Sequence, residues 1–204
     1  QLIQNFLQTC PHMKVFITGM ERYKLLEEFI YPLKGLPVPK SGAKDAKHYD
    51  AVKLFAERSA RVSPSFKLDG NNLEHVITIC KLADGFPLAL ELAATWVKLL
   101  PLETIAEEIK NKLDFLSDSS LKSVSLSLRA AFEQSWQRLQ ESDQRILKTL
   151  SWFQQSFGFQ AATQTSGVSL HDLLRLHDKS LLEVLPNRRF QIPRLLKLFV
   201  TEKC

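Results

Sequence analysis

Apolar positions along this chain recur mostly at spacings of three and four residues, the signature of helices that bury one face. Leu2, Ile3, Phe6 and Leu7 predict an amphipathic helix over Leu2–Thr9. Residues 50–60 place Val52, Phe55, Ala56 and Ser59 on one stripe. Asn72 is the expected cap of a helix whose inward face is Leu73, Val76, Ile77 and Cys80, with Gly85 as its stop. Pro87 then opens the next helix as a first-turn proline. That helix, 88–99, is apolar nearly all round and is the predicted buried centre of its bundle. Residues 102–113 close the bundle, with Pro101 just ahead and Glu103 in the first turn. A serine-rich stretch at 118–127 reads as a linker.

Beyond the linker, helices are predicted at 128–139, 142–153, 159–165 and 170–177. Two β-like runs follow, 180–185 and 189–192, joined by Pro186-Asn187-Arg188 in a hairpin, and a last helix covers 194–203. Helices followed by a hairpin describe a winged helix. The one departure near the start is Met13-Lys14-Val15-Phe16-Ile17-Thr18, short, β-branched and ending at Gly19, which predicts a buried strand. A helix followed by such a strand belongs to a parallel sheet. Tyr31-Pro32-Leu33-Lys34-Gly35-Leu36-Pro37 has prolines that confine it to a sheet edge or a connector. The expected architecture is therefore mainly α. It comprises a small remnant of a Rossmann-like parallel sheet over 1–37, a helical subdomain over 38–117 and a winged-helix subdomain over 118–204.

Composition adds bounds. The 204 residues are 45% hydrophobic and 24% charged, enough to bury a real core. The chain opens on Gln1 and is already in helical register, which reads as a cut through a longer protein. No signal-peptide pattern occurs, and the most apolar run, 86–100, contains Glu91 and Lys98. A cytoplasmic protein without a membrane partner is expected. Cys10, Cys80 and Cys204 are isolated, against a disulfide framework or zinc site; two of them are expected as buried small hydrophobes. The formal charge of +5 is spread along the chain and permits, without demanding, an anionic partner.

One run is more specific. Ile79-Cys80-Lys81-Leu82-Ala83-Asp84-Gly85-Phe86-Pro87-Leu88-Ala89-Leu90-Glu91-Leu92-Ala93-Ala94 resembles the "GLPL" segment of the STAND-class, NB-ARC-like signalling ATPases, in the style of bacterial regulators. Three more stretches match in order. Residues 9–18 resemble the sensor-one strand and 31–37 the connector after it. Ser135-Trp136, with the stretch from Leu150 to Ala162, resembles the start of the winged helix, whose end resembles Asp178-Lys179-Ser180-Leu181-Leu182. The resemblance spans essentially the whole chain. It implies a switch in which ADP or ATP bridges an upstream ATPase domain of the same polypeptide to the turn Gly85, Phe86, Pro87 and Leu88. Pro87 is there expected against the base. Implied partners are that ATPase domain, a homo-oligomer and downstream sensor repeats.

Two positions depart from the family pattern. Met20 stands where an arginine is expected after the sensor-one strand, and Pro193 where a histidine is expected to reach a phosphate. Both are degenerate sensor positions. No Gly-x-x-x-x-Gly-Lys-Ser/Thr sequence occurs, so this chain is not expected to turn over ATP or to require a cofactor by itself. The alternatives are a protein-binding scaffold with a degenerate nucleotide site and a winged-helix DNA-binding transcriptional regulator. For the last, Arg175, Lys179, Arg188, Arg189, Arg194, Lys197 and Lys203 supply basic groups, diluted by Asp172, Asp178, Glu183 and Glu202. His171 and His177, six apart, fall on different helix faces and make no metal pair, and no catalytic residue is predicted. Trp96, Trp136 and Trp152 are expected in the core.

Overall fold

In the computed structural model, which describes residues 2–10, 12–19, 28–40, 42–43, 45–116 and 128–204, the chain is mainly helical. The helices are α1 (Leu2–Thr9), α2 (Asp50–Val62), α3 (Leu73–Leu82), α4 (Pro87–Ala94), α5 (Leu102–Asn111), α6 (Leu128–Gln137), α7 (Glu141–Ser151), α8 (Phe159–Ser166), α9 (Leu170–Asp178) and α10 (Arg194–Thr201). Among the described residues the only sheet is an antiparallel pair, β1 (Glu183–Val184) on β2 (Phe190–Gln191). No helix among them is long and apolar enough to cross a membrane.

The helices α2 to α5 pack as a cluster, α2 against α3 and α4, and α3 against α5. Val52 and Phe55 of α2 and Ile77 of α3 meet Leu90 of α4 and Ile105 and Ile109 of α5 in the core, all essentially inaccessible to water. The expected central helix is shorter than its apolar run: α4 ends at Ala94 and continues as a 3-10 turn through Lys98. Ala89, Leu90, Leu92, Ala93 and Ala94 are buried, as an all-round apolar helix requires.

The helices α6 to α10 form a second cluster around Phe199, whose buried ring lies 5.7 Å from Phe132 and 5.9 Å from Trp136. Between the clusters runs the 3-10 turn Leu113–Phe115, which touches α5, α6 and α10. Trp96 stacks on Phe115 at 4.9 Å and its indole N–H donates to the Phe115 carbonyl at 3.1 Å. Arg129 of α6 pairs with Asp114 in that turn and with Glu202 at the end of α10.

The predicted hairpin forms, with Glu183 opposite Gln191 and Val184 opposite Phe190. Its turn is Leu185-Pro186-Asn187-Arg188, closed by the Arg188 N–H donating to the Leu185 carbonyl at 2.9 Å. The left-handed residue is Arg188, φ 58°, rather than Asn187; Asn187 instead accepts the Arg189 N–H through its side chain. Phe157 bridges the other side of Phe190, and the two residues exchange both backbone bonds, at 2.9 and 2.8 Å.

Several expectations are corrected. Residues 13–18 have no ladder partner among the described residues, so the Rossmann-like strand does not form there. An isolated apolar run has no second strand to satisfy its amides. Phe16 is almost fully exposed. Asn72 precedes α3 without capping it, because its side chain accepts from Asp69 and donates to the Lys67 carbonyl in the preceding loop. Trp152 is 73% exposed, lying one residue past the end of α7. Only Cys80 of the three cysteines is buried, and burial pushes its thiol up to about 12. The linker at 118–127 lies outside the described residues, as does Met20.

Candidate functional site

The turn between α3 and α4 is built by two consecutive left-handed residues. After α3, the Asp84 N–H returns to the Lys81 carbonyl at 3.1 Å and the Gly85 N–H to the Cys80 carbonyl at 3.0 Å, the paired bonds of a Schellman stop. Asp84 (φ 51°) occupies the position where glycine is favoured, and Gly85 (φ 63°) follows it. Gly85 stops α3 as expected, but as the second residue of the stop.

Gly85 also meets the connector. Its carbonyl accepts the Leu36 N–H at 2.8 Å, and a Cβ on Gly85 would fall 2.1 Å from the Leu36 carbonyl oxygen. A Cβ on Gly35 would fall 2.1 Å from the Asp84 carbonyl oxygen. Two glycines thus let two backbones touch, a use of glycine that neither segment discloses alone. The predicted residues of the turn come out in two environments. Gly85 is buried, while Phe86 (44% exposed) and Pro87 face solvent, and Leu88 is half-buried against the core. Pro87 is the first residue of α4, where a missing N–H costs nothing.

Pro193 stands at the N-cap of α10 and has no side chain able to accept the amides that open that helix. The acceptor comes from the turn instead. The Arg194 N–H donates to Asp84 Oδ2 at 2.8 Å, 110 residues away in sequence, and the neighbouring Leu195 N–H also acts to lower this carboxyl's pKa. Desolvation holds the Asp84 carboxyl above the ordinary range. The two amides and the Arg194 charge work the other way, and Glu183 adds to the rise. The structure therefore brings the turn and Pro193 together through a residue that neither motif includes. Its sequence signal is an aspartate where a helix stop prefers glycine.

For the adenine nucleotide that the resemblance implies, the fit is divided. Phe86 and Pro87 offer a fixed apolar edge to a flat base. On the phosphate side the described residues do not fit: Pro193 has no donor, and the first amides of α10 are taken by Asp84.

The basic groups of α9 are turned inward. Asp143, in the first turn of α7 and fully buried, accepts Arg175 Nε at 2.9 Å and Nη2 at 2.7 Å on one oxygen, and Lys179 Nζ at 3.0 Å on the other. Burial acts to raise the Asp143 carboxyl, but hydrogen bonds from Arg175 and Lys179, with their charges, leave it below the usual range. Arg175 also pairs with Asp172, which closes a capping box with Ser169. What α9 shows to solvent is Leu170 (62% exposed), His171 and Leu174 (54%). No group of three or more potential metal ligands occurs among the described residues.

No protein-family model matches the chain. It is similar to the protein named "Putative HTH-type transcriptional regulator Rv0890c" of Mycobacterium tuberculosis, 31% identical over 190 residues, which are 88% of this chain and 20% of that protein. The Mycobacterium bovis protein named "Putative HTH-type transcriptional regulator Mb0914c" matches to the same extent. "Uncharacterized protein Rv0894" of Mycobacterium tuberculosis is 31% identical over 106 residues, 52% of this chain and 25% of its own. The chain spans about a fifth of the length of the first two relatives.

Proposed function

We propose that this chain is the regulatory packing module of a transcription-control protein. A helical subdomain over 38–117 and a winged helix over 118–204 close on each other, and an adenine nucleotide held by an ATPase portion of the same polypeptide seats its base against Phe86 and Pro87. The observation that carries the reading is the clamped turn. Gly85 is fixed against Leu36, so the exposed apolar edge that follows it is rigid before any ligand arrives. The relatives' names support the regulatory setting. Because the chain covers about a fifth of those relatives, their names do not say which segment holds the DNA-reading helix.

Direct DNA reading by α9 is the weaker proposal. A recognition helix contacts base edges and phosphates with free polar and basic side chains. Here Arg175 and Lys179 are committed to Asp143, and the outer face carries two leucines. Such a face suits packing against protein.

The test of the base site is Pro87→Ala in the full-length polypeptide. Loss of part of an apolar wall should weaken ADP binding by about 1–2 kcal/mol, with little change in thermal stability. Calorimetric titration beside thermal melts separates this from a purely structural proline. Unchanged ADP affinity in a destabilised variant would refute the reading.

A further inference from the structure

We propose that Asp84 is a built-in latch, a carboxylate from the α3–α4 turn that seats on the first amides of α10 and holds the α6–α10 cluster closed on the α2–α5 cluster. Two independent features lead to it. The first is the bond itself: Arg194 and Leu195 open a helix whose N-cap is a proline, so their amides have no local acceptor, and Asp84 reaches across to supply one. The second is backbone strain. Asp84 holds φ 51° at the position of a helix stop where glycine is favoured. An aspartate kept there at a local cost is explained by what its side chain does elsewhere.

The contact suits a latch because it is weak enough to release. Asp84 is an exposed residue, so water competes for its carboxylate and for the amide it accepts. Other described contacts at the seam between the clusters include Arg129 with Asp114, the Leu128 N–H on the Leu116 carbonyl at 3.3 Å, and the buried Leu113 and Leu116. Asp84 is the tie that joins the α3–α4 turn directly to the start of α10. This latch needs no nucleotide, and the inference stands whether or not Pro87 meets a base.

Glycine and asparagine at position 84 separate the roles. Asp84→Gly removes the acceptor and relieves the strained backbone, whereas Asp84→Asn keeps an acceptor oxygen and tolerates the left-handed conformation. In Asp84→Gly, NMR-detected hydrogen exchange should speed up about tenfold at the Arg194 and Leu195 amides, the net worth of a lost hydrogen bond. Phe199, Val200 and the amides of α3 should stay as in the wild type. Asp84→Asn should remain within about threefold of the wild type at all of these sites. Paramagnetic labels at exposed Lys47 and Gln154 should give a broader distance distribution in Asp84→Gly than in the wild type or Asp84→Asn. Unchanged exchange at Arg194 and Leu195 overturns the proposal. So does acceleration spread evenly through α3 and α10, which would make Asp84 a general stabiliser, and so does faster exchange with unaltered label distances, which would make it a helix cap alone.

Discussion

Gly85→Ala should destabilise the chain by about 3 kcal/mol and release the connector from the α3–α4 turn. Two costs add. A non-glycine residue forced into the left-handed region costs about 1–2 kcal/mol, and Gly85 sits at φ 63°. The new methyl would also stand 2.1 Å from the Leu36 carbonyl oxygen, a contact with rigid backbone. Relief requires the connector to move, at a further cost of about 1–3 kcal/mol on the scale of overpacked cores, and with loss of the 2.8 Å bond from Leu36. Urea unfolding reads the total, and hydrogen exchange at the Leu36 amide reads the displacement. A variant of wild-type stability with a protected Leu36 amide contradicts the close apposition. The same displacement should loosen the Phe86-Pro87 edge, so any ligand that depends on that edge loses affinity in Gly85→Ala even though neither apolar residue is altered.

Most of the helices were legible because their faces obey one period. Val52 and Phe55 of α2, and Val76, Ile77 and Cys80 of α3, are buried as their spacing requires. Pro87 was legible because a proline after a helix stop has few other places to sit. The failures share a different cause. The 13–18 run has the composition of a strand, but a strand exists only through a neighbour, and none of the described residues pairs with it. Asn72 has a capping side chain, yet Asp69 and Lys67 compete for it within the same loop.

In the candidate site, the glycine, aromatic and proline of the turn could be named from the sequence, but their partners could not. Leu36 lies 49 residues before Gly85, and no local pattern links the two segments. The same holds for Asp84 with Arg194 and for Asp143 with Lys179. A basic residue on a predicted helix looks free until the carboxylate that holds it is found on another helix. That is why Arg175 and Lys179 read as free basic groups in the sequence although Asp143 holds both.

Asp143→Ala should cost about 3 kcal/mol, because it leaves two cations facing each other without their shared counter-ion. Breaking a buried ion pair by removing one partner costs roughly 3–5 kcal/mol. The lower end applies here, since the Arg175 and Lys179 side chains are 36% and 19% exposed and regain some water. Asp143→Asn should cost less, as an acceptor oxygen remains for Arg175. The pH dependence follows from the sign of the shift. The Asp143 carboxyl is lower in the folded chain than when unfolded, so its contribution is fully present above the ordinary aspartate range, near pH 4, and fades as pH falls through the folded value. The stability gap between wild type and Asp143→Ala should therefore be constant at neutral pH and narrow on acidification below about pH 4. Denaturant titrations at a series of pH values measure that gap directly. A gap that is small at neutral pH, or that widens in acid, would mean Asp143 does not hold α7 to α9. The variant also bears on function: if freeing Arg175 and Lys179 creates DNA affinity that the wild type lacks, the inward pairing is what keeps α9 a packing helix.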